Sequence, residues 1–206
     1  CFLGTANPSM ADQPNVVVLF ADDAGYADFG FQEDARPDMA HLTPHIDSIA
    51  AAGARFTQAY VTGAVCSPSR AGLMTGRYQQ RAGLPNVVYA PPTRVEHYWG
   101  MQDVEVTFAE LLSEAGYATG LMGKWHLGYT VNYNPVRHGF DEFRGYVSGN
   151  VDYVSHLDGT EKFDWWRGET LEDDEGYVTH LVTEYSLDFL ERHKEGPFCL
   201  YVAHEA

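Results

Sequence analysis

The segment NVVVLFADD, residues 15–23, is a continuous run of β-branched and apolar residues that ends in two adjacent carboxylates. A run of this kind is typical of a strand buried on both faces of a parallel sheet. Helical patterns and further apolar runs then alternate along the chain, at residues 43–53, 106–116, 117–128, 177–194 and 197–203. This alternation predicts an α/β fold with a largely parallel central sheet and helices on both faces.

The connecting segments carry weaker patterns. Residues 54–61 have the composition of a strand, and residues 67–77 that of a short helix with Pro68 in its first turn. Residues 129–176 are polar, aromatic and irregular, so we expect loops with little regular structure there.

Charge and hydropathy exclude some classes of function. The 206 residues include 13 basic and 29 acidic side chains, a net charge of −16. This balance argues against a nucleic-acid partner or an anionic membrane surface, and it suits a hard cation such as calcium or magnesium. No apolar run approaches the roughly 18 residues of a transmembrane segment.

The two ends of the sequence lead to expectations about processing. Residues 1–13 are interpreted as a signal-peptide remnant or a disordered tail, because Ser9-Met10-Ala11 fits the small-x-small cleavage rule. Export to the periplasm or the cell exterior follows, with lipid anchoring at Cys1 or a cloning-derived end as alternatives. The last segment stops inside an apolar run, so residues 14–206 are expected to be the first part of a longer domain.

Asp22 and Asp23 would repel each other at the end of a buried strand unless a proton or a cation relieves them. A hard divalent ion with oxygen ligands is one solution, and a solvated acidic turn is the other. The preceding strand and the following Gly25 favour the metal.

Cys66 is one of three cysteines, with Cys1 and Cys199, whose spacing matches neither a disulfide framework nor a zinc site. It precedes a proline-started helix, whose N-terminus favours negative charge, and Arg70 lies one helical turn further on. A low-pKa nucleophile, an anion-binding helix end and a buried small hydrophobe all remain open. Arg77 is interpreted as a structural charge at the end of the helix.

The hexapeptide GKWHLG, residues 123–128, places Lys124 and His126 two positions apart. In an extended segment both side chains point to one face, while Trp125 points the other way into packing. Such a pair can bind an anion and protonate a leaving oxygen, but a loop with incidental polar residues fits equally well.

The segment CSPSRAGLMTGR, residues 66–77, resembles the signature of the formylglycine-dependent (type I) sulfatases, members of the alkaline-phosphatase-like superfamily. Four other segments agree with that family in order and spacing, at residues 15–30, 43–61, 116–128 and 138–146. The resemblance covers roughly residues 14–206 and implies that they are the N-terminal part of a sulfatase catalytic domain.

The resemblance implies that Cys66 is oxidised to formylglycine, whose aldehyde hydrates to a geminal diol. One diol oxygen attacks the sulfur of a sulfate ester and expels the alcohol, and collapse of the diol then releases sulfate. Pro68 and Arg70 match the pattern that a formylglycine-generating or sulfatase-maturing enzyme reads.

The family's metal site maps onto Asp22, Asp23 and the modified Cys66 as ligands of Ca²⁺, with Mg²⁺ as an alternative. The metal would lower the pKa of the attacking oxygen and hold the sulfate.

Four further residues match family positions around the sulfate. Arg70 would hold the diol, Lys124 would contact the sulfate, and His126 would orient the diol or assist proton transfer. Ser148 matches a position near the sulfate in a variable segment.

The sequence departs from the family pattern in what it lacks. A downstream Asp-Asn pair, a further lysine and a histidine that we expect just past Ala206 are not present, and His204 is a neighbour of that histidine. We therefore expect residues 1–206 alone to bind metal poorly and to turn over little substrate.

The resulting hypothesis is a sulfuric ester hydrolase acting on a sulfated small molecule or, in preference, a carbohydrate. A phosphonate or phosphate ester hydrolase on the same fold and a non-catalytic anionic-glycan-binding protein are the alternatives. Trp165 and Trp166 either stack on a sugar or, as we expect, pack the domain. Tyr129, Tyr133 and Asp152 are candidates for the substrate subsite.

Overall fold

The computed structural model describes residues 13–89 and 100–205. They form one six-stranded sheet and four α-helices. In chain order these are β1 (Val16–Ala21), α1 (Pro44–Ala52), α2 (Cys66–Thr75), α3 (Phe108–Glu114), β2 (Ala118–Lys124), β3 (Glu142–Tyr146), β4 (Trp166–Arg167), β5 (Thr170–Leu171), α4 (Val178–His193) and β6 (Phe198–His204).

The strand order is β1-β6-β2-β3-β4-β5. The first four strands in this order pair in parallel, and the short β4 and β5 pair antiparallel. Ala21 lies opposite His204, and Lys124 lies opposite Tyr146. The carboxyl ends of β1, β6 and β2 therefore meet at one edge of the sheet, where ligands gather in folds of this class.

Each face of the sheet carries its own apolar core, because successive strand residues point to opposite faces. Leu121 and Tyr201 pack with residues of α2 and α3 on one face. Met122 and Leu200 pack with α4 on the other. Helices on both faces of a largely parallel sheet confirm the predicted fold class.

Gly123 is required where β2 passes β6. Its φ is 109°, and a Cβ placed there would lie 2.2 Å from the carbonyl oxygen of Ala203. Glycine therefore permits the close approach of two backbones that brings the next residue, Lys124, to the sheet edge.

Helices were predicted at the right places, and Thr107 caps the N-terminus of α3. The Thr107 hydroxyl accepts a hydrogen bond from the Glu110 amide at 3.1 Å, and the Glu110 carboxylate accepts one from the Thr107 amide at 2.7 Å. This reciprocal pair is a capping box.

Three local predictions were wrong. Residues 54–61 form turns and irregular structure and not a strand, and residues 129–176 contain β3, β4 and β5. β1 is not buried on both faces, because Val17 and Leu19 are exposed and β6 is its only partner among the described residues. Propensity indicates a strand, but burial depends on neighbours supplied by distant parts of the chain.

The interpretations of residues 1–12, including the cleavage site and Cys1, lie outside the described residues. Within the described part of the chain, no helix is both long and apolar enough to cross a membrane.

Candidate active site

Helix α2 presents Cys66 as its first residue, directly after Val65 in an extended conformation. The helix ends at Gly76, which adopts φ 63° and donates its N–H to the Gly72 carbonyl, a left-handed C-terminal cap. Cys66 is half-buried, and its Sγ accepts a hydrogen bond from Lys124 Nζ at 3.5 Å. The helix N-terminus and this ammonium group both favour negative charge at residue 66.

Arg70 is fully buried one turn along α2. Its guanidinium donates to Asp22 Oδ2 at 3.0 Å, to the carbonyl oxygen of Lys124 at 2.6 Å and to the Tyr201 hydroxyl at 3.3 Å. It also lies 5.0 Å from the centre of the Phe20 ring. The planar fork of donors thus ties α2 to the ends of β1 and β2 and to the middle of β6.

Asp22 follows β1 and is buried, whereas Asp23 is exposed and adopts a left-handed φ of 53°. Asp22 Oδ2 forms ion pairs with Arg70 and with Lys124. Burial alone would raise the pKa of Asp22, but the hydrogen bond from Lys124 and the charges of Arg70 and Lys124 lower it overall. Asp22 is therefore an anion at neutral pH.

Lys124 and His126 are both buried, but the segment that carries them is not extended. His126 has φ 56°, so the chain turns there and the expected same-face arrangement does not follow from strand geometry. His126 Nε2 lies 2.9 Å from the Val88 carbonyl oxygen. Trp125 is buried and stacks on His138 at 5.8 Å, so its predicted packing role is confirmed.

Ser148 is buried, but its hydroxyl is committed locally and donates to the Asn150 carbonyl at 2.9 Å. Its amide donates to Asp164 Oδ2 at 2.8 Å.

Gly149 lies against the His126 ring, and the Tyr129 hydroxyl accepts a hydrogen bond from the Gly149 amide at 3.1 Å. This segment therefore shapes the wall beside His126.

The remaining candidates divide between packing and surface. Trp165 is fully buried, and its ring stacks on that of His156 with the ring centres 4.5 Å apart. Trp166 is half-buried, and its Nε1 donates a hydrogen bond to Asp164. Asp152 is exposed and caps a local turn. Arg77 forms an ion pair with Glu105 at 2.5 Å, which agrees with its interpretation as a structural charge.

His204, the last residue of β6, is half-buried at the same sheet edge as Asp22. Burial lowers its pKa, and its Nδ1 has no hydrogen-bond partner among the described residues. It is thus a neutral imidazole beside the candidate site.

The donor set fits a hard cation only in part. A cavity of about 200 Å³ is lined by Asp22, Asp23, Cys66 and Arg70. Among the described residues, no group of three or more His, Cys, Asp or Glu side chains is arranged to hold a metal. Two carboxylates and one oxygen on residue 66 amount to about half of the six to eight oxygens that calcium requires.

Sequence reasoning missed several residues that hold this site together. Tyr201 and Val88 contact Arg70 and His126 from positions far away in the sequence, and no local pattern marks them. Ser67, which lies inside the recognised motif, binds the Val88 amide at 3.0 Å.

Comparison with known proteins now bears on the identity of this arrangement. The sulfatase family model matches residues 14–206. Arylsulfatase A of Bos taurus is 43% identical over 142 residues, covering 68% of this chain and 26% of that protein. The N-acetylgalactosamine-6-sulfatase of Mus musculus is 33% identical over 223 residues, covering 99% of this chain and 42% of that protein. The chain belongs to the sulfatase family.

A solved structure supports the same assignment. The crystal structure of Ps i-CgsB in complex with k-i-k-neocarrahexaose aligns with a TM-score of 0.81 at 30% identity. The alignment covers 94% of this chain and 45% of that one. The sulfatase chain described here thus spans less than half the length of each of these three proteins.

Proposed function

We propose that this chain belongs to an enzyme that hydrolyses sulfate esters, with residue 66 as the nucleophile after its conversion to formylglycine. The observation that carries the proposal is the position of Lys124, whose Nζ contacts both Cys66 Sγ and Asp22. An ammonium group beside the nucleophile is placed to hold a sulfate there. In this structure the thiol sulfur stands for the oxygen atoms of the modified residue.

The side chains around residue 66 have different proposed roles, which follow from their charge and position. Arg70 donates hydrogen bonds to three groups and so fixes helix α2, which holds the diol at residue 66 in place. Lys124 neutralises charge on the sulfate. His126 is neutral, because burial and then the charge of Lys124 lower its pKa to about 4. A neutral imidazole can accept a proton from the diol or orient it. Formylglycine supplies a nucleophile that releases sulfate without attack by water.

We propose that Asp22, Asp23 and residue 66 contribute ligands to a divalent metal, Ca²⁺ or alternatively Mg²⁺. The support is the ionised state of Asp22 and the shared cavity of the three residues. A bound metal would act as a Lewis acid at the sulfate. Ser148 remains a proposed neighbour of the sulfate, although its hydroxyl is engaged with Asn150.

A sulfated carbohydrate is the proposed substrate class. The support comes from relatives: one is named for N-acetylgalactosamine-6-sulfate chemistry, and another was solved with a neocarrahexaose. We also propose export, on the pattern of residues 1–11.

A maturing enzyme that recognises Cys66, Pro68 and Arg70 is the proposed partner. Pro68 and Arg70 are buried in the folded chain, so this enzyme has to reach them before the segment folds.

The first test is the mass of the tryptic peptide 56–70 in protein purified from its native host. Conversion of Cys66 to formylglycine removes about 18 Da. The tryptic peptide that begins at Glu195 contains the buried Cys199 and is the internal control, which keeps the mass of an unmodified cysteine. An unmodified thiol at residue 66 would contradict the proposed nucleophile and favour the anionic-glycan-binding alternative.

The second test separates the sulfatase from a phosphonate or phosphate ester hydrolase. Native-host protein is given an aryl sulfate and an aryl phosphonate in competition, with Cys66→Ala as the control that lacks the nucleophile. We expect preference for the sulfate, and a preference for the phosphonate would overturn the assignment.

A further inference from the structure

The backbone of Val88 is bound on both sides by side chains of the site. Its N–H donates to Ser67 Oγ at 3.0 Å, and its carbonyl oxygen lies 2.9 Å from His126 Nε2. Ser67, Val88 and His126 are all buried, with at most 4% of each residue exposed. Two hydrogen bonds, joined through the backbone of Val88, therefore connect the nucleophile helix to the histidine.

This arrangement decides which nitrogen of His126 carries the proton. A carbonyl oxygen only accepts hydrogen bonds, so Nε2 must be the donor. In the neutral ring Nδ1 is then unprotonated, and this atom is buried without a partner among the described residues. The lone pair at Nδ1 is thus not engaged by any described residue.

Neighbouring residues keep the ring from rotating away. A Cβ at Gly149 would lie 2.6 Å from His126 Cε1, so the glycine backbone closes one side of the ring. The Tyr129 ring packs edge to face with the His126 ring, and the two ring centres are 6.1 Å apart. Among the described residues, however, it is the Val88 carbonyl that selects the tautomer.

We propose that Ser67 is a positioning residue that, through the backbone of Val88, holds His126 in its Nε2–H tautomer and keeps the Nδ1 lone pair free. Ser67 is then more than a spacer in the recognised motif, because its hydroxyl binds the N–H of Val88, the residue whose carbonyl orients the imidazole. The use of the lone pair in catalysis rests on the proposed function, whereas the hydrogen-bond chain does not.

The tautomer is measured directly by long-range ¹H–¹⁵N NMR of the histidine side chains, with His126→Gln used to assign the signals. In the wild-type chain we expect a protonated Nε2 and an unprotonated Nδ1 at neutral pH. A wild-type Nδ1–H tautomer would overturn the proposal, whether or not the chain is active as a sulfatase.

The link to Ser67 is tested by Ser67→Ala, with Ser67→Thr as the rescue and Ser69→Ala as the same-helix control. All variants are compared in one maturation state of residue 66, verified by mass. In Ser67→Ala the buried Val88 amide loses its acceptor, and we expect its hydrogen exchange to rise about tenfold or more. The His126 signals should move toward a mixture of tautomers.

Ser67→Thr and Ser69→Ala should keep the wild-type tautomer. Retention of that tautomer in a folded Ser67→Ala chain would contradict the positioning role. If the alanine variant does not fold, Ser67→Cys replaces it, because the thiol keeps the volume but accepts hydrogen bonds weakly. Unchanged hydrogen exchange at Val88 and unchanged His126 signals in that variant would also contradict the positioning role.

Discussion

At the scale of single residues, Arg70 stabilises the site through its buried pairing with Asp22. We expect Arg70→Met to lower the free energy of unfolding by about 3 kcal/mol, because it leaves a buried carboxylate with one cation fewer. Urea unfolding of the chain measures this loss. Asp22→Asn on the same background should recover part of the loss, since the two effects are coupled.

The matched control is Arg137→Met, which removes the pair with Glu169, in which both side chains are exposed. Its expected cost is below about 1 kcal/mol. Equal costs at both positions would show that the Arg70 network does not stabilise the fold.

His126 should make stability depend on pH. Its pKa in the folded chain is about 4 against an ordinary 6.5, so between these values the unfolded chain binds a proton that the folded chain does not. Stability is therefore complete above about pH 6.5 and falls as the pH drops toward 4, by about 3 kcal/mol from this group.

Urea unfolding between pH 7 and pH 4 measures this dependence. His126→Gln should reduce the slope by the contribution of this group, while His204, whose pKa is also lowered by burial, retains its own contribution. A slope of undiminished size in His126→Gln would assign the effect to other buried groups.

At the scale of elements, the contact between β2 and β6 depends on Gly123. We expect Gly123→Ala to destabilise the chain by roughly 2–5 kcal/mol, from the left-handed φ and from the clash with the Ala203 carbonyl. Thermal or urea unfolding measures the loss.

Gly116→Ala is the control, because Gly116 also has a positive φ, 88°, but has no atom within 4 Å of the added Cβ. It should lose only about 1–2 kcal/mol. If both variants lose the same stability, backbone conformation alone requires Gly123.

At the scale of the whole molecule, one side of β1 is uncovered within the described residues. Val17 and Leu19 are 47% and 57% exposed, and Ile49 and Phe56 are also exposed. Exposed apolar residues on an edge strand favour association with other chains. We expect residues 1–206 to self-associate as concentration rises, in sedimentation velocity experiments.

Leu19→Lys should shift this equilibrium toward the monomer. Leu187→Lys adds the same charge at an exposed position of α4 and should have little effect. Equal effects of the two variants would show that net charge, and not the β1 face, controls association.

The sequence by itself predicted the positions of β1, β2, β6 and the four helices, and it proposed residues of the candidate site. Local periodicity, caps such as Thr107 and a motif such as residues 66–77 act within a few positions, so they can be read directly. It could not determine that β1 has one exposed face or that residues 54–61 lack a strand, since burial and pairing depend on distant partners.

Only the tertiary structure decided which groups surround residue 66. Arg70 reaches the carbonyl of Lys124 and the hydroxyl of Tyr201 across 54 and 131 positions of sequence. The carbonyl of Val88 contacts His126, which lies 38 positions away in the sequence. These contacts arise from the strand order, which brings the carboxyl ends of β1, β6 and β2 to one edge of the sheet. No local pattern encodes that order, because it follows from the packing of helices on both faces.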